Sequence, residues 1–269
     1  MPANDPLPTL ADDMALIRQA ASEGGRIALD HFGCDPDVWN KENNSPVSEA
    51  DLAVDEFLRK TLLAARPDYG WLSEETEDDS SRLSRRRAFV VDPIDGTRAF
   101  LAGKKTWCVS IAIVEDGAPL AGVLDCPALE ESFEAVAGQG ALCNGKLLKA
   151  AGSRQAVSIA GPASLLRDLP PSLAVANRHR GHIPSLAYRI AMVADGRLDA
   201  TLIKANAHDW DIAAAMLLLT EMGGRLLRPD GGDVKLCGTT PRHGPLLASH
   251  LHVTGDLLPV IRAAAHKRS

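Results

Sequence analysis

Two carboxylates three residues apart, in Asp92-Pro93-Ile94-Asp95-Gly96-Thr97, directly follow the apolar run Ala88-Phe89-Val90-Val91. Pro93 fixes the backbone there, and Gly96 permits a tight turn. If Thr97 to Ala102 begins a helix, the amides of Gly96 and Thr97 point outward at its N-terminus and form a cradle for phosphate. Carboxylates beside such a cradle make electrostatic sense only with cations between them. Hard oxygen donors suit Mg²⁺, which keeps waters and shares phosphate oxygens. An isolated Asp-x-x-Asp-Gly most simply caps a turn, so the metal reading needs support from elsewhere in the chain.

Three further segments supply it. Trp71-Leu72-Ser73-Glu74-Glu75 is a strand-like run ending in paired glutamates. Ser45-Pro46-Val47-Ser48-Glu49-Ala50-Asp51 leads into a helix, and Asp209-Trp210-Asp211 precedes an apolar one. Taken singly, each is weak: Asp209 reads as a helix cap, and Glu49 and Glu75 as solvated neighbours. The eight histidines show no metal-ligand spacing, and His208 reads as a surface residue.

The elements that must position these groups follow from periodicity. Leu16, Ile17, Ala20, Ala21 and Ile27 recur at helical spacing over Ala11 to Phe32. Asn43-Asn44-Ser45-Pro46 reads as a loop, Ser48 as an N-cap, and the helix after it runs to about Arg66, where Pro67 stops it. Glu75 to Arg87 is a charged, exposed stretch. Ala88–Val91 is a short buried strand ended by Asp92-Pro93. Thr106–Val114, Pro119–Asp125 and Glu131–Ala137 read as strands of an antiparallel sheet, with Glu115-Asp116-Gly117 as a hairpin turn. In the second half, strands at Val157–Ala160, Ala200–Ile203, Arg225–Leu227 and Pro245–Ala248 alternate with helices at Ser185–Asp195, Ile212–Met222 and Thr254–His266. Such alternation predicts a layered α+β or α/β sandwich.

With 269 residues and 45% hydrophobic content, the chain suits one large domain over 1–269, with tightly joined subdomains near 11–150 and 151–269. A net charge of −6 with both signs mixed argues against a nucleic-acid polymer or membrane surface as partner. The five cysteines are widely spaced and form no Cys-x-x-Cys pair, so they read as reduced thiols of a cytoplasmic protein. Cys108 is read as core. No apolar run reaches the roughly 18 residues of a membrane span, and the polar Met1–Leu10 segment is no secretory signal.

Asn40-Lys41, Ser45 to Asp51, Glu74-Glu75, Asp92 to Thr97, Trp210-Asp211 and Glu221-Met222-Gly223-Gly224 occur in the order seen in the inositol monophosphatase family, which the chain resembles from about Ala11 to Gly244. The resemblance implies an αβαβα sandwich and a lithium-sensitive, Mg²⁺-dependent phosphatase using two to three ions. Glu74, Asp92 and the Ile94 carbonyl would hold one ion, and Asp92, Asp95 and Asp211 a second. A third, weaker ion would sit near Glu74. Thr97 would pair with Asp51 to orient and deprotonate the attacking water. Lys41 would fall in a mobile loop that closes over the site, and the protein would be a homodimer.

Two cations would neutralise the phosphate oxygens, acidify the attacking water and stabilise the leaving alkoxide. Asp95, Gly96, Thr97, Ser185, Lys204 and Asp211 are the expected contacts of a small phosphorylated substrate. Inositol-specific members carry a glutamate seven residues before the third aspartate. Here that position is Lys204, which suits a second phosphate or a carboxylate. Arg178 and Arg180, upstream of Pro184-Ser185, could reach an anion but read more simply as surface residues. The alternatives are therefore a 3′(2′),5′-bisphosphate nucleotidase, a histidinol-phosphatase, or a silent binding protein. Silence predicts loss of a ligand, and none of the five expected side chains, Glu74, Asp92, Asp95, Thr97 and Asp211, is missing.

Overall fold

A computed structural model describes residues 8–34, 38–40, 46–149, 157–177 and 182–267. Lys41, Asn43 to Ser45, Arg178 and Arg180 lie outside the described residues.

The first helix, α1 (Leu10–His31), begins where Thr9 and Asp12 exchange capping bonds. Met14, Ile17, Ala21, Gly24 and Ala28 form its buried stripe. Strands β1 (Val38–Asn40) and β2 (Pro46–Ser48) pair antiparallel. Pro46, read as the end of a loop, is thus the first residue of an edge strand, a place where its missing N–H costs no ladder bond. Helix α2 (Glu49–Ala65) buries Ala50, Val54, Leu58 and Leu62 along one face.

Seven strands form the main sheet. They are β3 (Gly70–Ser73), β4 (Arg87–Asp95), which leads into the short α3 (Thr97–Leu101), then β5 (Cys108–Glu115), β6 (Ala118–Cys126), β7 (Glu131–Val136), β8 (Ala141–Cys143) and β9 (Lys146–Leu147). The expected antiparallel sheet holds from β4 onward. At its edge, however, β3 runs parallel to β4, because residues 74–86 cross over and return the chain in the same direction. That crossover carries a 3₁₀ turn, Ser81–Ser84, and is not uniformly exposed. Arg82 is buried, held by Asp78 and the carbonyls of Cys237 and Gly238, and Arg87 is buried between Asp13 and Glu115.

Both faces of this sheet are covered, which explains the near-continuous apolar runs. On β5, Val109, Ile111 and Ile113 pack with α1 and α2, while Cys108, Ala112 and Val114 face the other way. That second face meets α6 (Leu186–Ala194) and α7 (Asp209–Glu221). The chain reaches them through β10 (Ile159–Ala160), α4 (Ala163–Leu166) and α5 (Pro171–Ala176), with β11 (Ala200–Ile203) between the two helices. Gly196, at φ 78°, closes α6, and Gly223, at φ 77°, closes α7.

Strands β12 (Gly224–Leu227) and β13 (Leu246–His250) complete a four-stranded sheet of order β10-β11-β13-β12. Its inner face, with Ile203, Leu226 and Ala248, joins the core of α6 and α7. Its outer face packs Leu202 and Leu247 against α8 (Leu251–His266). The layers are helix, sheet, helix, sheet, helix, as the resemblance implied.

Candidate active site

Asp92 does not end β4. The strand continues to Asp95, with Asp92 opposite Ser110 and Asp95 opposite Cys108, so β4 carries one extra residue there. Pro93, without an N–H, sits in this bulge. The bulge has a functional consequence. Residues three apart on a plain strand point to opposite faces, but one inserted residue puts both aspartates on the face shared by Ser110 and Cys108. Gly96 then turns the chain at φ 99°, a conformation that disfavours a side chain, and α3 begins.

Glu74 arrives from the neighbouring strand. Parallel pairing sets Ser73 beside Val91, and the Glu74 amide donates to the Val91 carbonyl at 3.3 Å. Asp211 arrives from the first turn of α7, where its Oδ2 accepts the His208 amide at 2.7 Å. Oxygens of Glu74, Asp92 and Asp211 all lie within 4.8 Å of one another. Burial drives the Asp92 carboxyl well above its ordinary range, and Glu74, Asp95 and Asp211 push it further. Asp211 is raised well above its ordinary range too, by burial and then by Asp95 and Glu74. Three hard oxygen donors that repel one another across this spacing fit a divalent cation such as Mg²⁺.

Asp95 is held differently. Its Oδ2 accepts the Ser185 hydroxyl and the Ala187 amide, the latter at 2.6 Å, and its Oδ1 accepts the Leu186 amide at 3.2 Å. It therefore caps the N-terminus of α6 from another element. Burial lifts its carboxyl to about 6, against the pull of these three donors. Ser185 is fully buried, and its hydroxyl is committed to Asp95 and to the Tyr188 amide. The expectation that Ser185 contacts substrate is corrected: it sits behind Asp95.

Thr97 Oγ1 lies 3.1 Å from Asp51 Oδ1 and 3.2 Å from the Ile94 carbonyl. Its single hydroxyl proton thus has two acceptors. Asp51 stands in the first turn of α2, where its Oδ2 accepts the Ser48 amide and hydroxyl. Burial raises the Asp51 carboxyl, and the Ser48 bonds oppose the shift.

Glu74, Asp92, Asp95, Gly96, Thr97 and Asp211 line one cavity of about 410 Å³, and Lys204 stands on its wall, exposed. Cys108 is buried behind it, as expected of core. Asp209 is not a helix cap. It is buried, accepts the Cys237 amide at 2.7 Å and meets His243 Nε2 at 2.7 Å, partners too distant in sequence to foresee. Nor is His208 a plain surface residue: its half-buried ring stacks on Trp210 at 4.5 Å. Glu49 is exposed.

The same cavity has three basic residues that the sequence reading missed, Arg98, His182 and Arg189. Arg189 did leave a signal, as the one charged residue in the apolar helix Leu186–Ala194.

The model of the inositol monophosphatase family matches residues 10–268. A Streptomyces griseus protein named glucose-1-phosphate thymidylyltransferase is 37% identical, over 82% of this chain and 87% of its own. A histidinol-phosphatase of Chlorobaculum parvum is 33% identical, over 80% and 85%. An inositol-1-monophosphatase of Mesorhizobium japonicum is 34% identical, over 80% and 85%. The solved IMPase of Thermotoga maritima superposes with a TM-score of 0.83 at 23% identity, over 96% of this chain and all (100%) of that one.

Proposed function

The chain belongs to the inositol monophosphatase family and is a phosphoric monoester hydrolase, and from that premise we propose that it hydrolyses a small phosphorylated metabolite at the Glu74–Asp92–Asp211 site with Mg²⁺. The observation that carries this reading is the convergence of those three carboxylates within 4.8 Å beside the Thr97–Asp51 pair.

Glu74, Asp92 and Asp211 would hold Mg²⁺, with the Ile94 carbonyl and Asp95 as further oxygens. Asp95 accepts three hydrogen bonds, one of them on Oδ1, so a lone pair on Oδ1 is left for a cation. When bound, Mg²⁺ supplies charge for the phosphate oxygens and acidifies the attacking water. Thr97 Oγ1 accepts a hydrogen bond from that water and orients it. As it takes that water's proton, its own would pass to Asp51 Oδ1, since a hydroxyl alone is too weak a base. The Gly96 and Thr97 amides are offered to the phosphate as charge develops.

The name of the Streptomyces griseus relative denotes a transfer reaction, and the Thr97–Asp51 pair favours water as the acceptor here. The family likeness extends the proposal to two or three ions, to lithium competing for one of them, and to a cytoplasmic homodimer. No helix among the described residues is long and apolar enough to cross a membrane.

Phosphate release from inositol 1-phosphate, histidinol phosphate, 3′-phosphoadenosine 5′-phosphate and an aryl phosphate, with Mg²⁺ and with EDTA, tests the reading. Mg²⁺-dependent release lost in Asp92→Asn is expected. Release that persists in EDTA would overturn it.

A further inference from the structure

Arg189 is a buried cation, 8% exposed, with no ion-pair partner among the described residues. Nη1 donates to the Ile183 carbonyl at 2.9 Å, and Nε has no hydrogen-bond partner among them. Burial alone lowers the group from its usual range to about 10, with only the charge of Asp95 acting against this. An unpaired buried guanidinium is costly, and arginine's forked donors match carboxylate and phosphate oxygens. Arg189 is among the residues that line the reaction cavity.

Other positive charge gathers there. Lys204 lines the same cavity, and so does His182, whose imidazole is held below its ordinary range by burial and then by Arg189, Lys104 and Lys204. Arg98 lines it as well, so four cationic or potentially cationic groups share about 410 Å³ with the carboxylates that would hold Mg²⁺. A neutral polyol leaves Arg189 unpaired, whereas a second anionic group on the substrate would pair it.

We propose that Arg189, assisted by Lys204, is a specificity-determining anion subsite, and that the preferred substrate is a phosphate monoester bearing a second anionic group, a carboxylate or another phosphate. This deepens the phosphatase reading and rests on it. Arg189 acts on the part of the substrate that does not react.

Two matched pairs isolate the second charge. Glycerol 2-phosphate against 2-phosphoglycerate adds a carboxylate, and adenosine 3′-phosphate against 3′-phosphoadenosine 5′-phosphate adds a phosphate. Wild-type kcat/KM should favour the doubly anionic member of at least one pair by about tenfold or more, the scale of one charge-assisted hydrogen bond. The pair that shows it names the anion. Arg189→Met should collapse that ratio, and Arg189→Lys should restore part of it. Lys204→Met, at an exposed position, should reduce it in a protein of wild-type Tm. The upshift in Tm that each compound causes reads binding without turnover. No hydrolysis of any compound would remove the phosphatase reading and leave the binding comparison standing. Equal preference within both pairs, or a preference and an upshift that Arg189→Met and Arg189→Lys leave unchanged, would overturn the subsite.

Discussion

Thr97 Oγ1 lies 3.1 Å from Asp51 Oδ1, joining the first residue of α3 to the first turn of α2. The pair draws on two elements fixed independently, the bulged end of β4 and the Ser48-capped start of α2. Thr97→Val keeps the shape and removes the hydroxyl. It should lower kcat by about 10²–10⁴-fold, the usual worth of a positioned general base, with a small change in KM. Asp51→Asn should do the same. A risen KM at full kcat would show that the pair holds substrate and not water.

Removal of the metal should reveal the stress in the carboxylate cluster. Asp92 and Asp211 are both raised by burial and by one another's neighbours. Without a cation at pH 8, Asp92→Asn removes one repelling charge and should stabilise the fold by about 1–3 kcal/mol, the trade-off expected at a site built for function. With Mg²⁺ the order should reverse, because wild type gains from binding and the variant does not. Chemical denaturation of both proteins in EDTA and in Mg²⁺ measures this. A variant less stable than wild type in EDTA would mean that the repulsion is already relieved within the protein.

Much of this site was legible because its chemistry sits in short runs. Asp92 to Thr97, Glu74 and Asp211 each abut an apolar segment whose end fixes their place. What sequence could not give was pairing across distance. The extra residue between Asp92 and Asp95 is visible only against Ser110 and Cys108. Arg82 and Arg87 looked solvated within a charged stretch, yet their partners Cys237, Gly238 and Asp13 lie far along the chain. Ser185 read as a substrate contact because a serine at a helix start faces solvent unless another element covers it, and Asp95 does.

Ser185 gives a further prediction. Its hydroxyl bonds Asp95 and accepts the Tyr188 amide, so Ser185→Ala leaves a buried carboxylate oxygen and a helix cap short of a partner. The cost should be about 1–3 kcal/mol of stability. Asp95 would also lose one of its three anchors, so kcat should fall while the fold persists. Equilibrium unfolding and steady-state kinetics on one sample read both. Full activity with full stability would show that the Leu186 and Ala187 amides suffice.

A last prediction concerns a carboxylate far from the chemistry. Asp125 on β6 is half-buried against α1, where a β-carbon on Gly25 would come within 2.2 Å of its Oδ2. Burial pushes its carboxyl up to about 6, with a Ser132 hydrogen bond acting against the shift. Below pH ~3 the group is largely protonated whether the chain is folded or not, so it costs almost nothing. Between there and about pH 6 the unfolded chain ionises first and unfolding releases a proton, so stability falls as pH rises. Above that range the penalty is complete, on the order of 2 kcal/mol. Asp125→Asn has no charge to desolvate. It should match wild type most closely at pH ~3 and exceed it by roughly that amount at pH ~8, as read from denaturation curves across the range. The difference between the two proteins cancels every other titrating group, so a difference that does not change with pH would place Asp125 in an environment as polar as water.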